Sequence, residues 1–176
     1  PVRLSGCPHL ADIANMLRLL ESLGCRTSRE GMDLIVDTDG ASEHVMPEAL
    51  SKQMRSSIFM LGPVLARFGR AVFTYPGGCE IGLRPIDLHL RGLRQLGAEI
   101  REEGGTLLCR GGKLRGTDIV LALPSVGATE NLMLAACAAP FCREPVVLRG
   151  ADCTAKSYPA FWRDYAQLGG KVEHLT

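Results

Sequence analysis

Three times along the chain a helical stretch closes on a Leu-Gly pair. These are Leu23-Gly24, Leu96-Gly97 and Leu168-Gly169, with the glycines 73 and 72 residues apart. Glycine just past a helix takes the left-handed backbone that other residues resist, so each pair reads as a helix end. A short β-rich run precedes each helix: Pro1-Val-Arg-Leu-Ser-Gly6, Ala71-Val-Phe-Thr-Tyr75 and Pro145-Val-Val-Leu-Arg-Gly150. Another follows each, at Cys25 to Arg29, Ala98 to Arg101 and Gly170 to His174. A near-constant interval of this kind marks one supersecondary unit used repeatedly, and such units bury their apolar faces against one another.

The units fall at about 1–69, 70–144 and 145–176, in one domain. In unit one the spacing predicts a strand at 2–4 and a helix over 9–23 with the stripe Leu10, Ile13, Leu17 and Leu20. A hairpin turns near Glu30-Gly31, and a long helix runs from about 47 to 68, kinked at Pro63. Unit two repeats the plan: strand 71–75, helix 85–97, hairpin at Gly104-Gly105, strand 118–123 and helix 127–139. That last helix is apolar nearly all round and is expected to be buried. Unit three supplies strand 145–149, helix 157–168 and strand 170–174. The expected architecture is a layered α/β domain of β-α-β-β-α units with pseudo-threefold symmetry, its third unit incomplete.

Composition narrows the class. The 176 residues are 46% apolar and carry a net charge of +1, which fits a globular domain and argues against disorder or a general nucleic-acid binder. Seven cysteines, none in a C-x-x-C pair, suit free thiols in a reducing compartment, so the expected location is the cytoplasm. The four histidines show no metal-ligand spacing, and neither a metal nor another cofactor is expected. The most apolar run, near Asn131 to Phe141, is too short to span a bilayer, so no membrane association is expected. Opening on Pro1, directly in a strand-like run, the chain reads as a piece of a longer protein.

Chemistry concentrates in Pro76-Gly-Gly-Cys-Glu-Ile-Gly-Leu-Arg-Pro-Ile-Asp-Leu-His89. A thiol on a glycine loop, followed by Arg84 and a helix start at Pro85, suits an anion site whose positive field would also lower the pKa of Cys79. The same residues suit an ordinary surface turn with a free cysteine, and spacing does not choose between the two. Asp87 fits a first-turn carboxylate facing the helix dipole equally well. Arg55 has the planar fork that grips a diphosphate or carboxylate, or it is a solvated arginine on a half-apolar helix. Ser125-Val126-Gly127 sits where a strand meets a helix, so its N–H groups face an anion or simply complete a turn. Lys156 alone reads as a surface lysine.

Four stretches together resemble the UDP-N-acetylglucosamine 1-carboxyvinyltransferase family, the enolpyruvyl transferases of peptidoglycan synthesis, over residues 1 to about 150. They are Met54-Arg-Ser-Ser-Ile58, Leu61-Gly-Pro-Val-Leu-Ala-Arg-Phe-Gly69, the Pro76–His89 run and Pro124-Ser-Val-Gly-Ala-Thr-Glu-Asn131. The resemblance implies an inside-out α/β barrel of three units per domain, with a partner domain of the same enzyme outside this chain. It implies phosphoenolpyruvate and UDP-N-acetylglucosamine as substrates, and Cys79 as the proton donor and target of epoxide antibiotics such as fosfomycin. Arg84 would touch both substrates, the backbone of Arg84, Pro85, Ile86, Asp87 and Leu88 would cradle uridine, and Arg55 would reach the nucleotide sugar. Ser125, Val126 and Gly127 would take its diphosphate.

Two departures stand out. Leu123 occupies a position where many relatives carry lysine, and the family's lysine–asparagine pair for phosphoenolpyruvate should precede Pro1. The tail Ala151-Asp-Cys-Thr-Ala-Lys-Ser-Tyr-Pro-Ala-Phe161 resembles instead the C-terminal segment of enolpyruvylshikimate-phosphate synthase, which would make Lys156 a phosphoenolpyruvate contact. Two alternatives stay open at this point: a shikimate-3-phosphate enolpyruvyl transferase, and a non-catalytic repeat that keeps only the barrel.

Overall fold

A computed structural model describes residues 1–77, 85–111, 114–136 and 145–174, together with the backbone alone at 137 and 138. Unit one opens with β1 (Val2–Leu4), α1 (Ala11–Ser22), β2 (Arg26–Glu30) and β3 (Asp33–Asp37). Unit two opens alike, with β4 (Arg70–Thr74), α4 (Asp87–Gln95), β5 (Glu99–Glu103) and β6 (Thr106–Arg110). Between them lie α2 (Glu48–Ser51), a 3-10 helix (Arg55–Met60) and α3 (Leu61–Phe68). After β6 come β7 (Asp118–Val120), α5 (Val126–Ala138), β8 (Val147–Arg149), a second 3-10 helix (Ala151–Lys156) and α6 (Phe161–Gln167).

The repeat survives in the sheets. Each of the first two units builds a three-stranded antiparallel sheet in which its last strand lies between the other two, β1-β3-β2 and β4-β6-β5. The registers match as well, with Leu4 opposite Leu34 in one and Phe73 opposite Leu107 in the other. Glycines 24, 97 and 169 have φ of +91°, +99° and +95°, the left-handed ends that the spacing predicts. Successive units are sewn together by parallel pairing. The extended segment around Val45 bridges to Val72, with Met46 N–H donating to Val72 O at 2.9 Å, and β7 pairs with β8. The segment at Val45 is a pairing that sequence reading missed.

Helices α3 and α5 pack as the inner layer. Gly62 permits their close approach, since a Cβ there would lie 2.6 Å from Asn131 Oδ1 and 2.7 Å from Asn131 O. As expected, α5 buries Ala128, Thr129, Asn131, Leu132, Met133 and Ala135. One core cluster runs from Leu19 through Leu61, Leu65, Phe73 and Leu93 to Leu132.

Five expectations need correction. The helix predicted over 47–68 is broken at 52–54, where Met54 is extended (φ −150°, ψ 148°), and not at Pro63. Pro63 stands in the first turn of α3, where a missing N–H costs nothing. The break turns Met54 into the core, and the buried Ser57 hydroxyl lies 2.8 Å from Ser51 O and 2.9 Å from Met54 O. In α1 the buried line is Leu19 and Leu23, with Met16 packed against the core, whereas Leu10 is exposed. The helix carries two apolar stripes, and packing against the core selects the one with Leu19 and Leu23. The predicted helix 157–168 begins only at Phe161, after Pro159, which disfavours helical backbone in the residue before it. The strand predicted at 118–123 stops at Val120. Residues 170–174 form no strand; Gly170 N–H instead closes back on Tyr165 O at 3.0 Å.

Candidate functional site

Because the chain breaks at 52–54, the 3-10 helix starts at Arg55 beside the beginnings of α4 and α5. A cleft of about 350 Å³ opens there, lined by Arg55, Ser56 and Phe59 from the 3-10 helix, His89 from α4 and Gly127 from α5. Asp12 of α1 and Gln53 also line it. Gln53 is steadied by Arg18 of α1, whose guanidinium donates to Gln53 Oε1 at 3.0 Å.

Each group is placed by local chemistry. Arg55 Nη2 donates to the carbonyl of Pro85 at 3.2 Å, which joins the 3-10 helix to the residues heading α4. Ser125 caps α5: its Oγ accepts from Ala128 N–H at 3.3 Å and its carbonyl from Thr129 N–H at 3.0 Å. The remaining first-turn N–H groups, with Gly127 among them, give that helix end a partial positive charge. His89 is 7% exposed, and its ring meets Phe59 edge-on at 6.4 Å. Burial first, and the Arg55 charge second, push its pKa down to about 4, with Asp87 pulling weakly the other way. The imidazole is therefore neutral at ordinary pH. An arginine, a helix N-terminus and a neutral imidazole on one wall make a site suited to an anionic ligand.

The predicted site residues are only partly brought together. Arg55, Pro85 and Gly127 meet at or beside the cleft. Ile86 is 2% exposed, so its side chain belongs to the core and only its backbone can face a ligand. Asp87 is exposed in the first turn of α4 as the dipole favours, and Leu88 is half-buried. Ser125 and Val126 are half-buried at the head of α5. Lys156 is exposed at the end of the second 3-10 helix and does not line the cleft. Cys79 and Arg84 lie outside the described residues. Sequence reading passed over His89 and Asn131, although a lone asparagine inside so apolar a helix as α5 was a usable signal. Among the described residues no group of three His, Cys, Asp or Glu could hold a metal ion, and no helix is long and apolar enough to cross a membrane.

The fold, with its two like three-stranded sheets and inner helices, matches solved members of a class of transferases. The structure resembles the enolpyruvyl transferase NikO from Streptomyces tendae, with a TM-score of 0.63 at 18% identity, covering 76% of this chain and 32% of that one. It also resembles EPSP synthase from Acinetobacter baumannii, with a TM-score of 0.64 at 20% identity, covering 99% of this chain and 39% of the other. A family model of EPSP synthase (3-phosphoshikimate 1-carboxyvinyltransferase) matches residues 1–141, and the chain belongs to that enolpyruvyl (1-carboxyvinyl) transferase family. Within it, UDP-N-acetylglucosamine 1-carboxyvinyltransferase 2 of Caldanaerobacter subterraneus subsp. tengcongensis is 50% identical over 133 residues, 76% of this chain and 32% of that protein. UDP-N-acetylglucosamine 1-carboxyvinyltransferase of Desulfatibacillum aliphaticivorans is 41% identical over 173 residues, 94% of this chain and 39% of its own length, so that similarity reaches into the tail. The chain spans about a third of the length of the curated relatives it matches.

Proposed function

We propose that this chain is the catalytic-loop part of an enzyme that transfers enolpyruvyl from phosphoenolpyruvate to the 3-hydroxyl of UDP-N-acetylglucosamine, a cytoplasmic step of peptidoglycan synthesis. The observation that carries this reading is the meeting of Arg55, hydrogen-bonded to the Pro85 carbonyl, with Gly127 at the head of α5 in one cleft, in a chain 41–50% identical to relatives bearing that name. The identity to those relatives favours this acceptor over shikimate-3-phosphate, and the retained cleft favours a site over a bare scaffold.

The chemistry divides simply. Cys79 protonates the C3 methylene of phosphoenolpyruvate, which makes C2 electrophilic. The sugar 3-hydroxyl loses its proton to a base supplied by the partner domain and bonds to C2, giving a tetrahedral intermediate. Loss of a C3 proton and of phosphate then restores the double bond in the product. In this chain Arg84 contacts both substrates, the backbone from Arg84 to Leu88 with Asp87 holds uridine, Arg55 faces the nucleotide sugar, and Ser125, Val126 and Gly127 take the diphosphate. Lys156 contacts phosphoenolpyruvate. No metal or other cofactor takes part.

The test is an NMR titration of the chain with UDP-N-acetylglucosamine beside a phosphate-release assay. Binding is expected on the order of millimolar, because few contacts exceed the ordering costs. Arg84→Ala abolishes it, and the chain alone releases no phosphate because domain closure supplies the missing groups. Shifts confined to residues away from 84–88 and 125–127 overturn the site, and turnover by the chain alone overturns the need for a partner domain. Brief iodoacetamide treatment at pH 7 labels Cys79 first. Burial raises the pKa of Cys25 and pushes Cys109 to about 11, so labelling of either before Cys79 defeats the activated thiol.

A further inference from the structure

Asn131 is fully buried in α5, and all of its hydrogen-bonding directions are decided by the backbone. Gly62 N–H donates to its Oδ1 at 3.2 Å, so that atom must be the oxygen. Its Nδ2 then has two hydrogens, one donated to Ile58 O at 3.2 Å and one directed at His89 Nδ1, 3.1 Å away. Nδ1 of His89 can therefore only accept, and the ring proton must sit on Nε2. Protonating Nδ1 as well would set hydrogen against hydrogen in a dry contact, in accord with the depressed pKa of this ring.

That leaves a fixed N–H with no described partner. His89 is more than nine-tenths buried, Asn131 accounts for its Nδ1, and the Nε2 edge faces the head of α5, where a Cβ on Gly127 would stand 3.6 Å from Nε2. Both residues line the cleft beside Arg55. The Nε2 edge opens on the cleft instead of being sealed in protein, and the N–H groups of a helix N-terminus, donors themselves, offer it nothing to donate to. An acceptor placed between them satisfies both.

We propose that His89 is a ligand-binding residue that donates its Nε2–H to the diphosphate of the nucleotide sugar at the N-terminus of α5, with Asn131 as the positioning residue that fixes the tautomer. This rests on the proposed nucleotide-sugar site and adds to it a neutral donor. Such a donor recognises phosphate oxygens without adding a second buried cation beside Arg55.

The experiment uses the full chain, with long-range ¹H–¹⁵N spectra of its histidines and titrations with UDP-N-acetylglucosamine, UDP and uridine. The expected result is a protonated Nε2 and bare Nδ1 on His89, with Nε2 moving when either diphosphate is added. His89→Phe should weaken both diphosphate ligands about tenfold and leave uridine unchanged, the size of one hydrogen bond to a charged group. His89→Gln, which carries an N–H to the same place, should restore most of the loss. Asn131→Asp, whose carboxylate can only accept, should move the proton to Nδ1 and weaken UDP as His89→Phe does. Equal binding by His89→Phe and the parent chain, or equal losses for uridine and UDP, overturns the role of His89 while the nucleotide-sugar reading stands. A proton found on Nδ1 in the parent chain does the same, even if every variant fails to fold. Absence of binding by the parent chain to any of the three ligands overturns both.

Discussion

Leu4 and Phe73 hold the same place in two copies of one sheet, each opposite the second residue of its hairpin's return strand. Leu4 is 43% exposed and Phe73 is 0% exposed, and two pairs earlier, on the same face, Val2 and Ala71 stand at 44% and 0%. The strands share order and register, so the difference is not in the sheets. It lies in what packs on them. In the second sheet, α2 and α3 pack on β4 and α4 packs on β5, whereas in the first the main packing is α1 on β2. A repeat thus copies a backbone plan without copying its burial, because burial depends on each unit's neighbours.

Four measurements can break or sharpen that contrast. The largest effect is expected from Phe73→Ala, which empties a fully buried ring position and should cost about 3–5 kcal/mol in urea unfolding. A loss below about 1 kcal/mol would mean that the second sheet is no better packed than the first.

Next comes acid. The pKa of His89 falls from 6.5 unfolded to about 4 folded, so between those values the unfolded chain binds more protons. Stability from the neutral ring is complete above about pH 6.5, declines as pH falls, and is lost by about pH 4, a total of about 3 kcal/mol. The groups whose charges reach the ring are Arg55 and Asp87. In His89→Gln this part of the slope should vanish, and an unchanged pH profile would show that the ring is solvated.

Gly62→Ala tests the inner layer. A Cβ 2.6 Å from Asn131 Oδ1 and 2.7 Å from its carbonyl must push α3 from α5, at about 1–3 kcal/mol. It should also disturb the His89 ring signals through Asn131, and a neutral outcome would mean that the helices are not in contact. The smallest effect belongs to Leu4→Ala, about 0.5 kcal/mol for an exposed position. A loss as large as that of Phe73→Ala would erase the difference between the two sheets.

Much was legible without coordinates. Helix ends at the three Leu-Gly pairs, both hairpins and the burial of α5 follow from local rules, since glycine backbone and apolar periodicity act within a few residues. Arg55 and Gly127 could likewise be singled out by residue type and neighbours. The α1 stripe could not be read, because two apolar faces on one helix are equivalent until another helix covers one of them. Nor could the break at 52–54, which exists because Met54 finds the core and Ser57 faces the carbonyls that the break exposes.

Sequence by itself determined the repeat, the unit plan and the residue types at the cleft, because those depend on short-range sterics and on chemistry carried by each side chain. Tertiary structure alone decided which copy of the sheet is buried and how His89 is protonated. Those depend on Gly62, Asn131 and His89 meeting across 69 and 42 residues of chain, and on a burial that no local pattern encodes.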